Sequence, residues 1–304
     1  MRGCCILLSV VIALGLVSTD SYSQNSAVTD FVSAVAGPSF FSAGTQTPGC
    51  RKSEMFGSPN LYVGWLEHHK GATWVTNRQG GSTGTAEWPL RGFWLSLSES
   101  IMPQDRFGLL LSGSVFFPHR GAGSWYTTGG IGAIDFEVPS YYWWAVDGFV
   151  RGGVSDNFDI LAGFRWDHTS TRLKYSDNTD DDYVLNLYLP LIGAQLHQQF
   201  AGGELLFRII GTPLVPGRVR YNFWTSTNFS EFGDFDVARG SFVETLLDYR
   251  FRMASNLNLG GFVRWNMMHV NTRENSLSGS TTESISWTVD IRSWTVGGSL
   301  SLGF

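Results

Sequence analysis

Charge is scarce in this chain of 304 residues. Lys, Arg, Asp and Glu make up 15% of it, against roughly 25% in soluble domains. Cysteine is scarcer: Cys4 and Cys5 lie near the start, and Cys50 stands alone beyond them. That excludes a disulfide framework and a cysteine-based metal cluster past residue 23. No apolar run beyond the first two dozen residues approaches the ~20 needed for a membrane-crossing helix. The net charge is −5 with no basic block, so nucleic acid is not an expected partner. No phosphate loop, nucleophile elbow or His-Glu-x-x-His motif occurs. No cofactor and no metal is expected.

What is present is aromatic and small. Phe, Trp and Tyr make up 14% of the chain, with 12 Trp and 36 Gly. Residues 1–23 read as a signal peptide: Arg2 is the positive start, Cys4 to Val17 the apolar stretch, and Ser21-Tyr22-Ser23 the small-residue cleavage signal. Residues 24–59 have no period and read as a periplasmic or lumen-lining lead-in.

From residue 60 onward the dominant period is two. Ile160, Ala162, Phe164 and Trp166 alternate with Asp159, Gly163, Arg165 and Asp167. Val243, Leu247 and Tyr249 alternate with Glu244, Asp248 and Arg250. Leu257 to Met267 and Ile285 to Ile291 behave alike. Side chains alternate across a strand, so each run is a strand with one apolar face. Short turns at 102–105, 155–157, 201–203 and 254–256 alternate with polar segments at 76–86, 120–135, 177–181, 225–238 and 271–283. That layout is the one transmembrane barrels use. It predicts an all-β, antiparallel up-and-down membrane barrel over 60–304. Ten strands are expected near 60–76, 88–100, 106–119, 139–153, 158–176, 182–199, 204–224, 239–253, 257–272 and 284–304, with both termini periplasmic.

A barrel in a bilayer must turn its charges inward, because a lipid-facing Arg costs roughly 2–4 kcal/mol at the midplane. The charged parity therefore predicts a lumen ladder of Asp147, Arg165, Asp167, Glu204, Arg208, Glu244, Asp248, Arg250, Arg264, Asp290 and Arg292. Trp65, Trp74, Trp88, Trp143, Trp144, Trp166, Trp265 and Trp287 fall near strand ends, as interfacial girdles do. The last strand alternates up to Leu300, Leu302 and Phe304, a pattern resembling the signal read by the outer-membrane assembly machinery. The expected partners are that machinery, outer-membrane lipid including lipopolysaccharide, and an extracellular ligand of unknown kind. The expected location is the outer membrane of a Gram-negative-type bacterium.

Several segments, in order, resemble the omptins, ten-stranded outer-membrane proteases. These are Glu87-Trp88 with Ile101-Met102-Pro103-Gln104, Arg120-Gly121-Ala122-Gly123, Asp156-Asn157-Phe158 to Arg165, Leu189-Pro190-Leu191-Ile192-Gly193, and Gly203-Glu204-Leu205. The resemblance implies a ten-stranded barrel with its site at the extracellular rim. The family's Asp-x-Asp pair has no counterpart in Ser124-Trp125-Tyr126-Thr127, and its Asp-x-His pair has none in Trp224 to Val237. Water activation by that route therefore lacks its groups.

A rearranged site would draw on His119 with Asp234 and Asp236, against the simpler reading of solvated loop acids. Asp180-Asp181-Asp182 at a loop tip offers oxygen ligands for Ca2+, against the simpler reading of a solvated turn. Four functions remain open: a barrel acting through its loops in binding or adhesion, a narrow channel, a hydrolase with relocated residues, and a structural envelope protein.

Overall fold

A computed structural model describes residues 59–76, 83–104, 107–119, 121–128, 134–176, 180–200, 202–224, 230–254, 256–276 and 284–302. The expectations for residues 1–58, and for Phe304, lie outside the described residues. Among the described residues there are thirteen strands in one sheet. They are β1 (Asn60–Thr76), β2 (Thr83–Gln104), β3 (Phe107–Pro118), β4 (Gly121–Thr128), β5 (Ile134–Gly153), β6 (Phe158–Tyr175), β7 (Asp180–Phe200), β8 (Gly203–Thr212), β9 (Gly217–Trp224), β10 (Ser230–Ala254), β11 (Leu257–Thr272), β12 (Asn275–Ser276) and β13 (Ser284–Leu302).

Every ladder is antiparallel, and β1 pairs with β13 on one side and β2 on the other. The ring of ladders therefore closes and leaves no sheet edge at that seam, which satisfies the backbone without water. β4, β9 and β12 prolong β3, β8 and β11, so ten spans make up the wall among the described residues. Close approach at the seam explains two glycines. A Cβ on Gly297 would lie 2.1 Å from the Val63 carbonyl, and one on Gly64 would lie 2.8 Å from Thr295.

The strands outrun a bilayer. β10 has 25 residues, about 80 Å at ~3.3 Å each, against an apolar band roughly 25 Å tall in membrane barrels. Four segments read as polar loops are thus partly wall: β2 starts at Thr83, β4 fills Gly121–Thr128, β7 starts at Asp180 and β10 starts at Ser230. Their charge made them look like loops, but above the bilayer an outward charge meets water.

β13 shows where the change occurs. Its odd positions point inward throughout. Near the short turns the outward positions are apolar, with Trp294 54% and Val296 59% exposed, while inward Thr295 and Ser301 are fully buried. Toward the long loops the inward positions Ile285, Trp287, Val289 and Ile291 are apolar and buried, and Asp290 and Arg292 face out. The apolar side thus passes from the outer face to the inner face along one strand.

Between the two regions runs an outward aromatic girdle. Trp65 packs on Phe93 at 5.3 Å and His119 at 5.5 Å, Trp144 on Trp166 at 4.7 Å, and Trp265 on Trp294 at 6.0 Å between ring centres. The tryptophans expected to form interfacial girdles divide into two groups. Trp65, Trp144, Trp166 and Trp265 face outward, whereas Trp88, Trp143 and Trp287 are buried inside. Strand-end position does not fix the face; parity does. The Trp74 side chain lies outside the described residues.

Candidate functional site

The lumen beneath the girdle is a charge network. Arg165 donates to Asp147 at 2.5 Å and to Glu244 at 2.9 Å. Arg264 reaches the same Glu244 at 2.7 Å, and Arg208 lies 3.7 Å from it. Arg250 pairs with Asp248 at 2.5 Å, donates to the Tyr62 hydroxyl at 2.6 Å, and also bonds Asn60. Rings cover the guanidiniums: Phe242 lies 4.8 Å from Arg165 and Trp94 lies 5.0 Å from Arg264. Pairing and ring faces are what allow so many buried ions, since removing one partner strands another charge.

Nine of the residues read as the ladder point inward: Asp147, Arg165, Asp167, Glu204, Arg208, Glu244, Asp248, Arg250 and Arg264. Asp290 and Arg292 do not. They stand on the outer wall above the girdle, where Asp290 pairs with His269, because the outward parity is in water there. The ladder also has members that sequence reading missed. Arg151 pairs with Asp159 at 2.6 Å, His197 lies 3.0 Å from the same carboxylate, and Ser112 donates to Asp147. Their inward parity was the available signal.

Above this network the interior becomes aromatic. Tyr141 lies between the two regions and hydrogen-bonds His68, whose other nitrogen meets the Ser293 hydroxyl at 2.7 Å. Lys70 is buried with its ammonium 4.2 Å from the Tyr183 ring centre and 5.4 Å from that of Trp88. Higher still, Tyr221 packs on Trp287 at 4.3 Å, with Phe235 and Phe136 also buried. Two cavities near the middle of the lumen measure about 20 and 10 Å³, room for one or two waters. Among the described residues, buried side chains occupy the lumen from the network to the aromatic plug.

The residues proposed for a rearranged site do not converge. His119 is exposed and packs on outward Trp65. Asp234 and Asp236 face outward on β10, bonded to Arg220 at 2.8 Å and Arg218 at 3.4 Å. Arg220 holds the Asp234 carboxyl below the usual carboxylate range, chiefly through a hydrogen bond that outweighs the opposing effect of partial burial. β3 and β10 lie on opposite sides of the ring, with four strands between them either way. Asp180-Asp181-Asp182 is no loop tip either. It opens β7, with Asp181 turned inward to accept from Tyr175 and Tyr221, and Asp180 paired with Arg172. Adjacent carboxylates on opposite faces of a wall cannot all close on one cation. Among the described residues no group of three or more His, Cys, Asp and Glu is placed to hold a metal ion.

A closed antiparallel barrel with a charged lower lumen, a lipid-facing apolar belt and an aromatic girdle defines the class: a transmembrane β-barrel of the outer-membrane type. No protein-family model and no curated protein matches the sequence. Among solved structures the chain is similar to the outer-membrane protease OmpT from Escherichia coli, at 10% identity and TM-score 0.61, over 86% of this chain and 99% of that one. It also matches the AIDA-I autotransporter transport unit from Escherichia coli, at 11% identity and TM-score 0.38, over 91% and 97%. A third match is OprG from Pseudomonas aeruginosa, at 10% identity and TM-score 0.34, over 82% and 97%. At these identities the first likeness speaks to fold alone, and the other two carry no argument.

Proposed function

We propose that the chain is an integral outer-membrane barrel with a sealed lumen. It acts through the outer wall and rim of the part that stands clear of the bilayer, in binding or in envelope structure, and passes no solute. One observation carries this reading: among the described residues the interior is occupied by paired ions and then by packed rings, and the two cavities between them measure about 20 and 10 Å³. Ten spans give an interior only slightly wider than the eight that side chains just fill.

The orientation follows from strand layout. Short turns and both termini face the periplasm, and the long segments face outward. His69, Arg91, Arg172, Arg218, Arg239 and Arg292 are exposed on the outer wall above the girdle. They would meet the phosphates of lipopolysaccharide there, as guanidinium groups suit phosphate geometry. Outward Leu300 and Leu302 fit a strand presented to the assembly machinery. The absence of the omptin carboxylate pairs from the matching segments makes the omptin type of proteolysis no part of this reading.

Planar-bilayer recording tests it. The refolded chain is expected to leave the membrane at baseline conductance. Stable steps in the nanosiemens range would refute a sealed lumen and favour the channel reading.

A further inference from the structure

Asp290, once turned outward, has company. Ser241 on β10, His269 on β11 and Asp290 on β13 are direct register partners across three adjacent strands. All three face outward: Ser241 and Asp290 are exposed, and His269 is partly so. Side chains directly opposite on one face have Cβ atoms about 4.5–5.5 Å apart. The row therefore presents a hydroxyl, an imidazole and a carboxylate side by side. These are the groups of a nucleophile, its base and the acid that orients the base.

The hydrogen bonds set the imidazole for that task. His269 Nδ1 lies 2.7 Å from Asp290 Oδ1. A proton on Nδ1 donated to the carboxylate leaves Nε2 as an acceptor. The Asn271 amide lies 2.8 Å from Nε2, and Thr288 Oγ1 donates to Asn271 Oδ1 at 2.6 Å. Asn271 is thus held donating to the basic nitrogen, and it must swing aside before that nitrogen can take a proton from Ser241. The Ser241 hydroxyl has no hydrogen-bond partner among the described residues.

Location selects the substrate. His269 and Asp290 each lie four residues above an outward girdle tryptophan, Trp265 and Trp294. Below these rings, Gly261 and Gly298 are register partners on the outer face. A Cβ built on either meets nothing nearer than 3.7 Å, so a shallow notch opens in the lipid-facing wall below exposed Val263 and Val296. Arg292 stands exposed between the row and the girdle, where an anionic headgroup would sit.

We propose that Ser241, His269 and Asp290 form an outward-facing esterase site that cleaves fatty-acyl esters of outer-leaflet lipids. The ester lies at the row, and its acyl chain runs down the wall past Trp265 and Trp294. Ser241 Oγ bonds to the acyl carbon while its proton passes to His269 Nε2. The ester C–O bond then breaks, and the leaving alcohol takes that proton. Water, deprotonated by His269, attacks the acyl-serine. Free fatty acid leaves and the Ser241 hydroxyl is restored, so one water is consumed per ester.

The test uses the full-length refolded chain in two lipid systems: phosphatidylethanolamine–phosphatidylglycerol vesicles, and the same vesicles with lipopolysaccharide. Fatty-acid release in either is expected, and the system that gives it identifies the lipid. His269→Ala, Asp290→Asn and Ser241→Ala are expected to lower release by about 10²–10⁴-fold while keeping the folded, heat-modifiable band of the parent on gels. A fluorophosphonate probe is expected to label Ser241 in the parent and not in His269→Ala. No release from either lipid, or release within twofold of the parent in any of the three folded variants, overturns the proposal.

Discussion

Glu244 shows how much of the molecule rests on single side chains. It is 2% exposed and is approached by Arg165, Arg264 and Arg208. Glu244→Gln keeps the volume and removes the charge, leaving guanidiniums short of a counter-ion. A loss of about 3–5 kcal/mol is expected, read as a shift in urea unfolding followed by tryptophan fluorescence in detergent. Asp236→Asn breaks an ion pair whose partners are 61% and 65% exposed, and its cost is expected to stay below about 1 kcal/mol. Equal costs for the two would contradict the division between a dry lumen and a wet wall.

At the scale of the element, β13 carries the sharpest contrasts. Gly297 and Gly298 are neighbours in sequence, yet a Cβ on the first meets the Val63 carbonyl at 2.1 Å and one on the second meets only a carbonyl at 3.8 Å. Gly297→Ala is expected to destabilise by about 1–3 kcal/mol through overpacking, while Gly298→Ala stays within roughly 0.5 kcal/mol. Thermal loss of the heat-modifiable band compares them. The same strand locates the bilayer. Val296→Arg places a cation on the lipid face and is expected to cost roughly 2–4 kcal/mol, whereas Ser286→Arg, on the outer wall near the loops, is expected to cost little. A large cost at residue 286 would mean that lipid reaches much higher than the girdle.

For the whole molecule the prediction concerns which rings see lipid. In vesicles of brominated lipid, emission from Trp65, Trp144, Trp166, Trp265 and Trp294 is expected to be quenched, and that from Trp94, Trp143 and Trp287 is not. Single-tryptophan variants separate them. Quenching of Trp287 would place the aromatic plug in contact with lipid and reverse the assignment of inside and outside.

Period two, two apolar–polar faces and alternating spacer lengths are local properties, and they were enough to give an antiparallel membrane barrel and its ten spans. Parity also sent Arg165, Glu244 and Arg250 to one side of their strands with no knowledge of their partners. The segments resembling omptins led to the same kind of fold as the likeness to OmpT, through short matches that carry no site. What local pattern lacks is the reference for the two faces. Trp287 and Trp294 are both apolar residues on β13, but their opposite parity turns one inward and the other outward, and each face accepts its ring because the outer surroundings change from water to lipid between them. Local pattern therefore puts Asp290 in the lumen and makes Asp234 and Asp236 look like loop. Only closure of the ring and the height of the wall beyond the girdle decide those cases. The row of Ser241, His269 and Asp290 has the same origin: its members are 28 and 21 residues apart in sequence, and only strand register makes them neighbours.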